Sequence, residues 1–216
     1  MENRDTPGHW QKSKADVFWG EIAPCDHVLQ IYENDEVFLD ALTGFVGGGI
    51  NSNDACIVIA TPAHLSALAS RLISYGISIK SLIEDHRYIP FDAEKLLSQF
   101  MVNGWPNEAA FNLTISSLLA RARGKTKRNI RAFGEMVALL WAQGNIGATV
   151  NLEHLWNKFA ENESFCMFCA YPKIGFTGQL SDSIEHICLA HSKMISGVST
   201  QLTEILYRDT VQKHAS

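Results

Sequence analysis

No apolar run in these 216 residues approaches the ~18 that a membrane-spanning helix needs. The opening stretch Met1–Trp19 is polar and mixed in charge, and it lacks the apolar segment of a secretory signal. Both absences lead to the expectation of a cytoplasmic protein that does not engage a membrane. There is no internal repeat, low-complexity tract or Pro/Gly-rich linker. The chain therefore reads as one domain, within the roughly 250–300 residues over which a single core can grow. Charge is scarce, at 19% of residues against 46% hydrophobic. That balance excludes a disordered chain and supplies a sizeable core. The five cysteines (Cys25, Cys56, Cys166, Cys169 and Cys188) are odd in number and sit mostly in apolar surroundings. They read as buried, reduced thiols rather than a disulfide framework.

Positive charge is also in short supply. The formal net charge is −5, which argues against nucleic acid as a direct partner. One segment runs the other way: Arg121, Arg123, Lys125, Lys127, Arg128 and Arg131 contribute six of the 18 basic residues, with no acid among them. Arg121, Arg123, Lys125, Lys127 and Arg128 form a candidate partner-docking patch. The alternative is a solvated helix end and loop.

What the chain does contain is an alternation of β-rich runs and helical stretches. This is the pattern of a mainly parallel sheet covered on both faces. Val28–Tyr32, Ala55–Ala60, a short run near Arg87–Ile89, Asn129–Phe133 and Phe165–Ala170 read as strands. The expected fold is α/β, a three-layer αβα sandwich of about five strands. A helix over roughly Glu36–Val46 is expected to end at Gly47-Gly48-Gly49. Thr61 and Pro62 open the next helix as N-cap and first residue. Asp92 caps a helix with Leu96, Leu97, Phe100 and Met101 on one stripe, stopping near Asn103-Gly104. Further helices are expected over Asn107–Arg123, Met136–Gln143 and Gly147–Glu161. A last one, from Ser183, carries Ile184, Ile187, Cys188, His191 and Ile195 on one face, with Asp182 and Glu185 as a capping box.

Gly124-Lys125-Thr126 invites a phosphate-loop reading, but the first glycine of that motif would fall at Leu119. The tripeptide also follows a helix instead of a strand. Cys166-x-x-Cys169 with Cys188-x-x-His191 imitates a zinc ribbon. Residues three apart in a strand face opposite sides, so those two thiols cannot converge, and no metal is expected there. His191 is read either as a buried neutral histidine with one hydrogen bond or as a pocket-lining polar group. Glu153 and Asn157 share a helix side and are expected to bond to each other.

In open α/β sheets, ligands bind beyond the carboxyl ends of the strands. Those ends supply Tyr32-Glu33, Ala60-Thr61, Phe133-Gly134-Glu135 and Ala170-Tyr171-Pro172. Two carboxylates, two phenols and a hydroxyl around one rim form a small-molecule pocket on this reading. The alternative for Glu135 is a plain helix N-terminal cap.

Several stretches resemble one family. They are Gly20-Glu21-Ile22 through His27–Glu33, Val58–His64, Phe91-Asp92-Ala93, Arg131–Val137, Leu152–Asn157, Cys169–Pro172, and Ile187-Cys188 with His191. Together they resemble the MEDS domain, the sensory domain of methanogens, methylotrophs and the regulator DcmR, over roughly residues 17–200. The resemblance implies a fold related to the RecA/KaiC ATPases and a role in sensing small molecules, with hydrocarbon derivatives suggested. Residues 1–16 are expected to be a flexible segment, 17–208 the sensory domain and 209–216 a tail. Where an ATPase of that kind carries its phosphate loop, this chain has Tyr32-Glu33-Asn34-Asp35-Glu36. Three acids and no lysine there would repel a triphosphate. The expectation is a degenerate phosphate loop, no catalysis, no cofactor and no metal.

The candidate ligand-binding residues are Tyr32, Glu33, Thr61, His64, Phe133, Glu135, Cys169, Tyr171 and His191. MEDS domains often adjoin a DNA-binding or histidine-kinase module, and neither fits in the remaining termini. Output through a separate kinase or transcription regulator, or through homo-oligomerisation, is therefore implied. The competing expectations are a divergent RecA/KaiC-like nucleotide-binding protein and a ligand-free interaction module.

Overall fold

The computed structural model describes residues 19, 22–23, 25–124, 127–175, 181–197 and 205–207. The expected N-terminal segment 1–16, the tail 209–216 and Lys125 lie outside them. In chain order the elements are β1 (His27–Tyr32), α1 (Asp35–Asn51), β2 (Ala55–Ala60), α2 (Pro62–Ser74), α3 (Ile79–Glu84), β3 (Tyr88–Asp92), α4 (Ala93–Leu97), β4 (Met101–Val102) and β5 (Trp105–Pro106). There follow α5 (Glu108–Arg123), β6 (Ile130–Gly134), α6 (Met136–Ala142), α7 (Ile146–Ala160), β7 (Cys166–Pro172), α8 (Ser181–Leu189), β8 (Lys193–Gly197) and β9 (Ile205–Tyr207). The main sheet has seven strands in the order β3-β2-β6-β7-β1-β8-β9. Every neighbouring pair is parallel except β8 with β9. No described helix is long and apolar enough to cross a membrane.

The α/β sandwich is as expected, but two more strands join the sheet than the five anticipated. The apolar stripe credited to the last helix runs past its end. That helix stops at Leu189, so His191 lies beyond it, and Ile195 belongs to β8. Asp182 sits inside the first turn of that helix and not at its N-cap. Likewise α4 ends at Leu97. Asn103 and Gly104, with φ of 51° and 77°, make the two-residue turn of the β4–β5 hairpin, a backbone shape that favours this pair.

Side-chain alternation splits the core into two layers. Leu29, Ile57, Ile59, Ala132, Met167 and Tyr171 face α4 to α7. Val28, Cys56, Val58, Phe133, Phe168 and Ala170 face α1 to α3. Cys166 and Cys169 accordingly lie on opposite sides of the sheet, as the strand period requires.

Gly47-Gly48-Gly49 does not end α1; the helix continues to Asn51. Gly48 and Gly49, with Gly44 about a turn earlier, are there for proximity. A Cβ on Gly44 would stand 2.6 Å from the Trp19 ring, and one on Gly49 would stand 2.6 Å from Cys56 Sγ and 2.8 Å from Arg131 Cδ. Arg131, counted by sequence with the surface charges, is buried against α1. Its Nε donates to Asp54 Oδ2 at 2.9 Å and its Nη1 to the Trp19 carbonyl at 2.7 Å.

Replacing a helical glycine with alanine ordinarily gains ~1 kcal/mol. At position 49 the added methyl meets a thiol and a fixed guanidinium, and overpacking of this kind costs about 1–3 kcal/mol. Gly49→Ala is expected to lower the urea midpoint, whereas Gly76→Ala adds a methyl with nothing within 4 Å and meets only backbone strain at φ +81°. Equilibrium unfolding of the two variants checks the contrast.

Candidate functional site

The rim beyond β1, β2 and β6 carries a chain of bonded charges. Glu135 follows β6 and is 6% exposed. Its Oε2 accepts the Thr61 backbone N–H at 2.8 Å, and its Oε1 lies 2.8 Å from His64 Nδ1. Thr61 caps α2, its hydroxyl oxygen accepting from the His64 N–H. Glu135 therefore ties β6 to the amino end of α2, where the helix dipole favours negative charge. It stands at the N-cap position of its own helix, α6, but makes no side-chain cap bond there, so the plain capping role is corrected. His64 Nε2 lies 3.9 Å from Asp35 Oδ2 in the first turn of α1.

The bond to Glu135 raises the pKa of His64 above 6.5, against the opposing effect of burial. Phe38 presents its edge to His64 and stacks on Tyr32, at 4.9 Å in each case. Burial, aided by Glu135 and Asp35, keeps the Tyr32 phenol protonated well beyond its ordinary range.

The opposite face of the sheet holds a second group: His27, Glu153, Cys169 and His191, all buried, with ligand atoms within 4.8 Å of one another. His27 opens β1, Cys169 lies in β7, Glu153 in α7, and His191 follows α8. Pairing of β1 with the start of β8 sets His191 in place, since the His27 N–H donates to Ser192 Oγ at 3.0 Å and the Ser192 N–H to the His27 carbonyl at 2.8 Å. The two imidazoles stand 3.8 Å apart between centroids. His27 Nε2 is 3.4 Å from Cys169 Sγ and 3.8 Å from Glu153 Oε2. His191 Nε2 is also 3.8 Å from Glu153 Oε2.

The Tyr171 hydroxyl donates to Glu153 Oε1. Glu153 Oε2 and His191 Nε2 have no hydrogen-bond partner, and each such buried atom costs ~1–3 kcal/mol. Burial drives the set toward neutrality. Glu153 is pushed up to about 8, with the Tyr171 bond opposing, and His27 down to about 4, with its bonds to Asn157 and Ala190 opposing. The Cys169 thiol moves up, chiefly through burial. His191 moves down through burial and the neighbouring His27.

The candidate ligand-binding residues thus divide. Tyr32, Thr61, His64, Phe133 and Glu135 gather on the α1–α2 side, Phe133 as fully buried core. Cys169, Tyr171 and His191 meet on the other side. Glu33 belongs to neither group and pairs with Lys173 Nζ at 2.6 Å. The single rim joining Tyr32 to Tyr171 is corrected, because β1 and β7 point those two phenols to opposite faces.

Sequence reasoning missed His27 as a site residue and read Glu153 only as a partner of Asn157. Glu153 instead accepts from Tyr171, and Asn157 Oδ1 lies 2.9 Å from His27 Nδ1. Both residues lie in the stretches that carried the family resemblance, which was the available signal.

The basic segment is partly consumed by local bonds. Arg123 Nη2 pairs with Glu163 Oε2 at 2.6 Å, and Arg128 Nη1 donates to the Asp85 carbonyl at 3.0 Å. Arg121 and Lys127 are exposed.

This sheet, layered between helices, is shared by solved structures of KaiC-like type. The chain is similar to the KaiC-like protein PH0186 from the hyperthermophilic archaeon Pyrococcus horikoshii OT3, with 11% identity, TM-score 0.57, and coverage of 89% of this chain and 83% of that one. It is also similar to P. horikoshii OT3 PH0250, with 10% identity, TM-score 0.57, and coverage of 92% and 93%. At such identities the likeness concerns the fold. Among curated proteins none matches. Residues 26–192 match the family described as MEDS, the MEthanogen/methylotroph, DcmR Sensory domain, and the chain belongs to that family.

His64 holds a proton more tightly folded than unfolded. The stability this contributes is fully present below the unfolded value of 6.5 and is lost as pH rises through the higher folded value. Denaturant unfolding of the native chain and of His64→Asn is expected to show a stability gap that narrows with rising pH above 6.5. A gap constant with pH contradicts the pairing.

Proposed function

We propose that the chain is a non-catalytic sensory domain that binds a small molecule at the rim of Tyr32, Phe38, His64 and Glu135 and passes the signal to a protein partner. The reading rests on the family match and on one observation at the β1–α1 junction. Only Glu33 and Asn34 separate the end of β1 from the start of α1. A phosphate loop needs several more residues there, so that successive backbone N–H groups can wrap the phosphates. In this chain the Val37 N–H is taken by Asn34 Oδ1 at 3.1 Å, and Asp35 and Glu36 fill the first helical turn. Their charges disfavour an anion where the helix dipole would otherwise attract one.

The same surroundings suit a neutral or cationic molecule with an apolar part, set against the Tyr32–Phe38 stack and bonded to the His64–Glu135 pair. To signal, that molecule must bind two states of the domain unequally. The exposed Arg121 and Lys127 offer a basic surface to an acidic partner.

Calorimetric titration with MgATP and with ADP is expected to give no saturable heat. Native mass spectrometry of the freshly purified chain is expected to show a small-molecule adduct. A ligand in hundredfold excess over its dissociation constant should stabilise the fold by about 2.7 kcal/mol, and Glu135→Gln should weaken that binding. Micromolar nucleotide affinity would overturn the reading.

A further inference from the structure

We infer that His27 Nε2, His191 Nε2, Cys169 Sγ and Glu153 Oε2 form a tetrahedral site for one divalent transition metal ion, zinc above all, between the sheet and α7. The site lies on the face of the sheet away from the rim and stands or falls separately from the sensory reading.

Geometry comes first. A zinc ion with ligands at about 2.0–2.3 Å holds neighbouring ligand atoms about 3.3–3.8 Å apart. Three of the six pairs measure 3.4, 3.8 and 3.8 Å, and the ligand atoms of the four residues all lie within 4.8 Å of one another. Convergence of four such groups from β1, β7, α7 and the segment after α8 is not a by-product of one element's periodicity.

The lone pairs are also free to bind. His27 Nδ1 lies 3.0 Å from the Ala190 carbonyl, and His191 Nδ1 lies 2.6 Å from the Ile187 carbonyl. A carbonyl oxygen only accepts, so in each ring Nδ1 carries the proton and Nε2 turns its lone pair toward the centre, that of His27 accepting the Cys169 S–H until the thiol ionises. Carbonyl or amide oxygens behind metal-binding imidazoles are the usual way of setting that tautomer. Tyr171 occupies Glu153 Oε1 and leaves Oε2 for the ion. Glu153 Oε2 and His191 Nε2 are two of the buried side-chain atoms that lack a hydrogen-bond partner, and the side chains bearing them are 1% and 2% exposed.

Charge and donor type choose the ion. A thiolate and a carboxylate together cancel a double positive charge, so the loaded site is neutral in a buried setting. The Cys169 proton, and the proton that burial holds on Glu153, both leave to solvent as the metal–sulfur and metal–oxygen bonds form. One oxygen donor does not suit calcium or magnesium, which take six or more oxygen ligands between protein and water. Two imidazoles and a thiolate suit zinc and its borderline-soft neighbours. Four protein ligands complete a tetrahedron, the arrangement of a site that holds structure rather than one that activates water.

The test uses the whole chain, purified without metal-affinity resin or chelator. Elemental mass spectrometry is expected to find about one equivalent of zinc or a related ion. After chelation, Co2+ should restore one equivalent and give a thiolate-to-cobalt band in the near ultraviolet, with the strong visible bands of tetrahedral cobalt. Cys169→Ser should abolish the near-ultraviolet band, and Cys25→Ser should keep it. Should Cys169→Ser fail to fold, X-ray absorption of the zinc-loaded native chain decides: one sulfur and three nitrogen or oxygen neighbours are expected. Absence of sulfur from that shell, failure to take up Zn2+ or Co2+, or a cobalt–thiolate band undiminished in folded Cys169→Ser would each overturn the site.

Discussion

Successive side chains of a strand turn to opposite faces, and along β1 and β7 this alternation decides which groups meet. His27, Leu29 and Ile31 turn toward α7, as do Cys169 and Tyr171 from the neighbouring strand. Parallel pairing sets Leu29 beside Cys169 and Ile31 beside Tyr171. A slip of one residue would send every member of the set to the other face. The His27–Cys169–Glu153–His191 quartet therefore depends on this register, and the sheet keeps it apart from Glu135 and His64 on the other face.

The layered α/β fold was legible because buried parallel strands such as Ala55–Ala60 are nearly all apolar and helices between them open on N-caps at Thr61 and Asp92. Edge elements were not. β8 follows an apolar stripe that continues smoothly from α8, and only the chain reversal at Ala190–Ser192 separates them. The triple glycine misled for a different reason. Its role is to let Trp19 and Arg131 approach α1, a tertiary demand with no local signature. Half of the rim was readable from strand ends, since Thr61 and Glu135 sit where the topology places them. The quartet was not, because its members come from four elements and span residues 27 to 191.

Trp19, which precedes β1, is bound into the body of the domain through a buried ion pair. Asp54 holds the Arg131 guanidinium at the end of α1, and that guanidinium in turn grips the Trp19 carbonyl. Removing either partner would leave a buried charge alone, which is far costlier than losing a surface pair. The Trp19 ring meanwhile packs against Phe45 and Phe168, with centroids 5.2 and 5.3 Å away. The entry of the chain, α1 and β7 thus share one set of contacts.

The Ile187 carbonyl accepts the Ala190 N–H at the end of α8 and also engages the His191 ring, while the Ala190 carbonyl, just past that end, engages the His27 ring. The turn that follows α8 and the orientation of both rings therefore share the same carbonyls. β8 begins two residues after His191 and carries β9 at its outer side, so the margin of the sheet is geared to the histidine pair. Ser192, which bonds the His27 backbone at both its N–H and its carbonyl, stands immediately before β8, so the buried histidine pair and the outermost strands are joined through one residue.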